Sequence, residues 1–476
     1  MKFQGTCRKI DSPAIIMETV NTGLDLTQKA RELINIIKTR FITADGLLAR
    51  NYPITHLTLF TDFDDIVPFF IFFNETEFLL SQVRIIREKN KSLLSLCSVD
   101  GVLVTRSIDE WFGGLYALWK KTADDVTYNL LKESVEFVLG YLMKDGFFSA
   151  AFYPESEKAV SFYEPWSAGL LETFCEMREQ FPAGFEQAQK VLRSWVQDDY
   201  FGEHHLFPYR VYSSPIKRFI QKKILSRSFP VHRNSKPPTV VGPCRTRVLK
   251  SLMKQFLFYS INGLYSQLMK SNSTCAFALL EFYEATGDQF WLQSLVEWIV
   301  SAIENFCDNG KVYMECVPKS RARRDAGITS AFILTDVICD TVYFAEDYIA
   351  QHKDKFMSVV EKIIDYAWQS RLENGLIPYR ERGDFAHIDS QVDFGVSLRR
   401  YAQLSGQQTY IDKSVELTKR ALELHYSPDG YFTYSGNAPK NVIDPKYNAL
   451  LLKGLANLIT MDEPLYPHYH SLFKDR

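Results

Sequence analysis

Apolar residues recur at spacings of three and four, with charges between them, in seven stretches of the chain. These are LTQKARELINIIKTRF, FLLSQVRIIREKNKSLLSL, TYNLLKESVEFVLGYLM, FEQAQKVLRSWV, FWLQSLVEWIVSAIENF, FMSVVEKIIDYAWQSRL and YIDKSVELTKRALELHY. That period predicts helices wet on one side only. Each is followed by a turn and then by a second, more apolar stretch: DIVPFFIFF, DEWFGGLYALWKK, PWSAGLLETFCEM, TCAFALLEFYEAT, ITSAFILTDVICDTVYFAE, DFGVSLRRYAQL and KYNALLLKGLANLI. The second set predicts helices buried nearly all round. The turns themselves repeat as ADGLLARN, VDGVLVTRS, KDGFFSAAF, DNGKVYMEC, ENGLIPYR and PDGYFTYS, with a degenerate seventh, DDYFGEHHLFPYR, beginning at Asp198. Asp-Gly and Asn-Gly suit such turns because glycine takes positive φ without steric cost.

A wet helix, a short turn and a dry helix, repeated along the chain, predict an all-α fold. The expected architecture is an (α/α)6 or (α/α)7 toroid, with inner and outer rings of helices and short β-hairpin turns. Residues 1–476 form one such domain in this reading, with 204–270 as an insertion, and two separate domains or a sheet of four or more strands would overturn it. The repeat, with phrases such as YEATGDQFWLQ and YAQLSGQQTYIDKS, resembles the six- and seven-hairpin toroids of carbohydrate enzymes. Among those are N-acylglucosamine 2-epimerases and unsaturated glucuronyl hydrolases. The resemblance implies a carbohydrate-active enzyme that hydrolyses or epimerises a sugar in a central cavity. No catalytic signature of either group matches here residue by residue, so no roles are carried over.

In a ring of this kind the junctions between turn and inner helix meet at one mouth, and acids gather there. Asp62, Asp64 and Asp65 lie in TDFDD, Asp109 and Glu110 in SIDEW, Glu164 in YEPW, and Asp389 and Asp393 in HIDSQVDFG, with Asp444 in VIDPKY. Glycoside hydrolysis needs one protonated and one ionised carboxyl group across the scissile bond. The same acids also suit helix starts, where Asp and Glu cap orphan N–H groups. Ser107 with Glu110 has capping-box spacing, and Glu164-Pro165 and Asp444-Pro445 read as N-caps followed by proline. His387 stands at the same junction as Asp389 and could act as general acid or base. Trp111, Tyr163, Trp166, Tyr379, Tyr434 and Tyr447 offer faces for sugar stacking, against the alternative that they fill the core. Arg106, Arg321, Arg323, Arg324, Arg380 and Arg382 cluster at the mouth, and guanidinium forks suit carboxylate or phosphate. An acidic substrate, a uronate or a phosphorylated glycan, follows. TDFDD also has the DxDD spacing of class II terpene cyclases, with Asp64 as the would-be proton donor, and a non-catalytic glycan-binding or scaffold ring is a third reading.

Composition narrows the picture further. The net charge is −2 and the eight cysteines form no CxxC or Cys/His spacing, so neither a zinc site nor any other metal or cofactor is expected. No apolar run reaches the length of a membrane span and the N-terminus lacks a signal-peptide pattern, so a cytoplasmic protein is expected. From His204 to Lys270, however, there are 13 Lys/Arg and no Asp or Glu. Two segments within it, SSPIKRFIQKKILSRSF and TRVLKSLMKQFLFYSINGLYSQLMK, read as basic amphipathic helices suited to an anionic membrane surface. The expected partners are therefore a glycan or glycolipid substrate and, through 213–270, an anionic membrane on which the protein sits peripherally. A lid guiding an anionic substrate is the alternative. Nucleic acid is not expected, because no binding motif accompanies the charge.

Overall fold

The computed structural model describes residues 26–49, 62–99, 101–144, 147–160, 162–212, 265–381, 383, 385–426, 432–433, 435, 445–461, 463 and 465. Helices come in pairs along the chain. The first pair is α1 (Leu26–Arg40) and α2 (Val67–Phe72), and the second is α3 (Thr76–Glu88) and α5 (Thr105–Thr122), with the short α4 (Leu93–Cys97) between them. The third is α6 (Asp125–Tyr141) and α7 (Ala168–Glu176), and the fourth is α8 (Pro182–Val196) and α10 (Ser273–Thr286), with the short α9 (Asp199–His204) between. The last three are α11 (Gln289–Phe306) with α12 (Ile328–Phe344), α13 (Ala350–Gln369) with α14 (Ile388–Ser405), and α15 (Gln408–His425) with α16 (Pro445–Ile459).

The second members pack side by side in the order α2, α5, α7, α10, α12, α14, α16, and α16 then meets α2, which closes the ring. The first members lie outside it. Among the described residues this gives seven inner positions, the first held by the short Val67–Phe72 helix. The two helix types differ as the sequence requires. On α13 the buried residues are Phe356, Val360, Ile363, Ile364 and Ala367, one stripe, whereas α12 is buried at thirteen of its 17 positions. Three helices, the outer α6 and α11 and the short α9, begin with aspartate caps: Asp124 accepts from Thr127 N, Asp288 from Phe290 N and Asp198 from Tyr200 N, which satisfies N–H groups that have no partner in the helix.

The turns carry the expected positive φ at Gly46, Gly101, Gly310 and Gly375. At the degenerate repeat the left-handed residue is His205, after Asp198 has capped α9. The strands are β1 (Ser98–Val99), β2 (Val102–Val104), β3 (Met143–Lys144), β4 (Phe147–Phe148), β5 (Ala151–Tyr153), β6 (Lys158–Ala159), β7 (Phe162–Tyr163), β8 (Val211–Tyr212), β9 (Ser266–Gln267), β10 (Cys307–Asp308), β11 (Lys311–Val317) and β12 (Ala322–Ala326). They correct the expectation of isolated two-stranded excursions. Two sheets have four strands, β1-β2-β5-β6 and β10-β11-β12 with β9 also on β11. The strand criterion set from the sequence is therefore too strict: the toroid stands, because each sheet forms where hairpins from neighbouring turns meet edge to edge and satisfy one another's backbone groups. The Ser107–Glu110 capping box is also corrected: α5 starts three residues earlier, at Thr105, with Val104 as N-cap.

Candidate functional site

The N-terminal ends of α5, α14 and α16 and the turn before α2 converge on one group of charges. Lys446 Nζ, at the start of α16, is 2.9 Å from Asp62 Oδ1 and 2.5 Å from Asp65 Oδ2. Glu110 joins them from α5, and oxygens of Asp62, Asp65 and Glu110 lie within 4.8 Å of one another. Arg106, one turn before Glu110, is 3.5 Å from its Oε1 and stacks 4.5 Å above the Trp166 ring. Burial holds the Glu110 carboxyl well above the usual carboxylate range, with Asp65 and Asp62 pushing the same way and Lys446 and Arg106 opposing. Burial works against the Lys446 ammonium, yet Asp65, Asp62 and Glu110 hold its value well above that of a free lysine. The result is one carboxyl that holds its proton more tightly than an ordinary carboxylate, beside two that are ion-paired. Three carboxylates this close could also hold a divalent cation, a possibility the sequence did not suggest, although Lys446 already brings a positive charge among them.

Two glycines let the 62–65 turn reach this place. A Cβ on Gly113 would sit 2.7 Å from the Asp64 carboxyl carbon, and one on Gly114 would sit 2.5 Å from Phe63 Cδ1. The turn therefore lies directly on α5, with Asp64 N donating to Glu110 O at 2.9 Å.

Charges continue down the lumen along faces that are otherwise apolar. On α14, Asp389 accepts from Ser390 N at 2.7 Å, and burial together with Asp393 raises its pKa to about 6. One turn below, Asp393 pairs with Lys453 of α16 at 2.6 Å. Lower still, Arg400 bonds Asp340 at 2.8 Å and lies 3.6 Å from Asp336, both on α12. Burial, helped by Asp340, lifts Asp336 to about 7 against the pull of Arg400. A lumen charged at this density offers a prenyl chain little apolar wall and places cations where a carbocation would form, which argues against the terpene-cyclase reading.

A cavity of about 870 Å³ opens at the rim between β11–β12 and the segment from Tyr379 to His387. His387 stacks on Tyr379 with ring centroids 4.0 Å apart and near-parallel planes. Burial, with His425 and Arg380, lowers the His387 pKa to about 4, so the ring is neutral near pH 7. Its Nδ1 is 4.0 Å from Asp389 Oδ1, which joins the rim cavity to the charged lumen.

The structure thus brings together Asp62, Asp65, Arg106, Trp166, His387, Asp389, Asp393, Tyr379 and Arg380, and it gives other expected site residues different work. Asp64 packs against α5 at Gly113. Asp109 points at α7, accepting from Thr173 Oγ1 at 3.0 Å beside Gly169. Glu164 holds Arg210, whose Nε donates to its Oε1 at 2.8 Å. Trp111 is corrected: it is fully buried, and its Nε1 donates to Ser134 Oγ of outer helix α6 at 3.1 Å, so it faces away from the lumen. Tyr163 is corrected likewise, being buried and stacked 4.8 Å from Trp195 of α8. Arg321 is exposed at the tip between β11 and β12 and does not line the rim cavity. Arg323 lines it but spends its guanidinium on the last carbonyls of α11, Asn305 O at 2.9 Å and Glu304 O at 2.7 Å. Arg324 is bonded to the buried Glu315. Tyr447 packs against the core. Arg382, Tyr434, Asp444 and the insertion from 213 to 264 lie outside the described residues.

Lys446, Lys453, Asp336, Asp340 and Arg400 were missed. A signal for them exists in the sequence: Lys446 and Lys453 are two turns apart on a helix otherwise rich in Leu and Ala, and Asp336 with Asp340, or Asp393 with Arg400, also share a face. Charges in line on a helix that is buried all round mark a polar lumen.

No protein-family model matches the chain, and no curated protein matches it. Solved structures do. A D-mannose isomerase superposes with a TM-score of 0.56 at 7% identity, covering 92% of this chain and 97% of the other. A cellobiose 2-epimerase from Spirochaeta thermophila gives 0.53 at 9%, covering 76% and 87%. A family 76 glycoside hydrolase α-mannanase of Bacteroides thetaiotaomicron gives 0.51 at 9%, covering 93% and 96%. At these identities the likeness is one of fold, and the chain is an α/α toroid of the kind used by sugar epimerases and mannanases.

Proposed function

We propose that this protein is a carbohydrate-active enzyme that hydrolyses a glycosidic bond in an acidic glycan at the mouth of its toroid. The observation that carries the reading is the grouping of Glu110 with Asp62 and Asp65. A carboxyl whose surroundings favour its protonated form, within 4.8 Å of two that are bonded to an ammonium, fits the division of labour that glycoside hydrolysis requires. Glu110 protonates the leaving oxygen, and Asp65 or Asp62 stabilises or attacks the anomeric carbon. The acidic character of the substrate is supported by the basic residues around the rim cavity.

Epimerisation is the second reading, favoured by the neutral His387 beside Asp389 and by the similarity in fold to sugar epimerases. Two-sided proton exchange needs groups on opposite faces of one carbon. His387 and Tyr379 are stacked on each other and so belong to a single wall, which is why hydrolysis is preferred. Incubating the protein with a panel of uronate-containing oligosaccharides separates the two: hydrolysis releases a new reducing end, and epimerisation changes the sugar without one. Glu110→Gln should lower the rate by about 10²–10⁴-fold. Unchanged turnover in that variant would remove Glu110 from the chemistry, and binding without turnover in the native protein would favour the scaffold reading.

The basic insertion supports a location on an anionic membrane, where the substrate would be a glycolipid. Its two ends are rooted at the mouth, β8 on β7 and β9 on β11, with Tyr209 N donating to Tyr265 O at 2.8 Å. Among the described residues no helix is long and apolar enough to cross a membrane.

A further inference from the structure

The rim cavity holds more positive charge on paper than it has to offer a ligand. Lys311, Arg323, Arg324 and Arg380 line it, against the carboxylates of Asp325 and Glu381. Three of the four cations are already engaged. Lys311 is 2.5 Å from Glu381 Oε1, Arg323 donates to the two helix-end carbonyls, and Arg324 is bonded to Glu315. Arg380 is exposed, and no carboxylate pairs with it among the described residues. His387 adds no charge near neutral pH, because its pKa lies at about 4. Around Arg380 the wall is aromatic: Tyr313, Tyr379 and Phe385 line the cavity, with Phe385 5.1 Å from the His387 ring.

We infer that this cavity is the subsite for one sugar carboxylate, with Arg380 as its fork and Tyr379 and its neighbours as the stacking wall, so that the acidic substrate is a uronate rather than a phosphorylated sugar. The inference rests on the glycan reading above. Its basis is a charge match: among the described residues that line the cavity, one guanidinium, that of Arg380, has no carboxylate partner, and its two parallel donors suit a monoanionic, planar carboxylate. A phosphate monoester carries about −1.5 to −2 near neutral pH and presents three oxygens, and the one cation without a carboxylate partner among the described lining residues leaves much of that charge uncompensated. The cavity, at about 870 Å³, has room for more than one sugar ring, and His387, which lines it, lies 4.0 Å from Asp389.

Equilibrium titration tests this with methyl β-glucuronide, methyl β-glucoside and glucose 6-phosphate, each added to the native protein, to Arg380→Gln and to Glu110→Gln. The expected result is that the glucuronide binds at least about tenfold more tightly than the glucoside. Arg380→Gln should erase that preference while leaving the glucoside unchanged, and glucose 6-phosphate should gain nothing over the glucuronide. Equal binding of glucuronide and glucoside, tighter binding of the phosphate ester, an undiminished preference in Arg380→Gln, or no measurable glucuronide binding at millimolar concentration each overturns it. Because Glu110→Gln should keep the preference, loss of the hydrolase reading and loss of the uronate subsite are told apart.

Discussion

Lys446 Nζ lies 2.9 Å from Asp62 Oδ1 across a sequence separation of 384 residues. The pair stands on the seam where the last inner helix meets the first, and both side chains are more than four-fifths buried, at 16% and 17% exposure. Lys446→Met leaves Asp62 and Asp65 facing Glu110 without their shared cation. Breaking one side of a buried pair costs about 3–5 kcal/mol, and partial exposure here places the loss at the low end. Urea unfolding at pH 7 measures it, and a variant as stable as the native protein would show that the seam is held by packing alone.

Glu110→Gln should separate stability from activity. Because the folded carboxyl has a raised pKa, the folded state binds its proton more tightly than the unfolded chain does. That contribution is complete below the unfolded value near 4.5 and is lost as pH rises through the folded value. Glutamine cannot ionise, so the variant should melt higher than the native protein at pH 8 and gain nothing at pH 4, while its turnover is lost. A melting temperature lowered at both pH values would contradict the raised pKa of Glu110.

Asp336 gives a cleaner titration, since Arg400 keeps Asp340 at 2.8 Å if Asp336 is replaced. Its folded pKa of about 7 lies above the ordinary 3.8, so the sense is the same: stability falls between about pH 4 and pH 7. Asp336→Asn should flatten that part of the stability profile. His387 and His425 act in the opposite sense, because burial brings both to about 4 from 6.5, and stability is lost as pH falls through that window. A profile of native minus Asp336→Asn that does not change between pH 5 and pH 8 would count against the burial of this carboxylate.

Glycine replacements should differ sharply by position. At Gly114 an added Cβ meets Phe63, including its backbone carbon at 3.1 Å, and the clash displaces the turn that carries Asp62 and Asp65. Gly114→Ala is expected to lose about 1–3 kcal/mol by overpacking and most of its activity. Gly140 on α6 has nothing within 4 Å of the added atom, so Gly140→Ala should stabilise by up to about 1 kcal/mol through helix propensity alone. Parallel thermal melts and activity assays of the two variants decide it.

Flotation with liposomes tests the membrane proposal. Binding to vesicles containing anionic lipid should weaken with salt and disappear when Lys217, Arg218, Lys222, Lys223 and Arg227 become glutamine. Equal recovery in the unbound fraction with and without anionic lipid would return the segment to the role of a soluble insert.

The ring was readable in the sequence because its two helix types bury different fractions of their surface. A stripe such as Phe356, Val360 and Ile363 differs visibly from ITSAFILTDVICDTVYF. The junction acids were readable as a group, but the pattern did not say which way each would turn. Asp64 and Asp65 are adjacent, yet one packs on Gly113 and the other bonds Lys446, a difference fixed by the path of the turn over α5. Trp111 was misread for the same reason, since a tryptophan on an inner helix fills the layer between rings as readily as it lines the lumen. Lys446 was overlooked because, following a proline at a helix start, it looked like an ordinary solvated lysine, and only ring closure sets it opposite Asp62.

That closure also has a temporal side. Asp62, Asp65 and Glu110 are made early in synthesis and Lys446 late, so a growing chain carries the acids for hundreds of residues before their counter-charge exists. Contacts of such long range are slow to form, and the proposed reaction centre cannot be complete until the seventh hairpin has docked. A truncated product would thus retain most of its helices and still be inactive, so that catalytic competence reports on whether the entire ring has been finished.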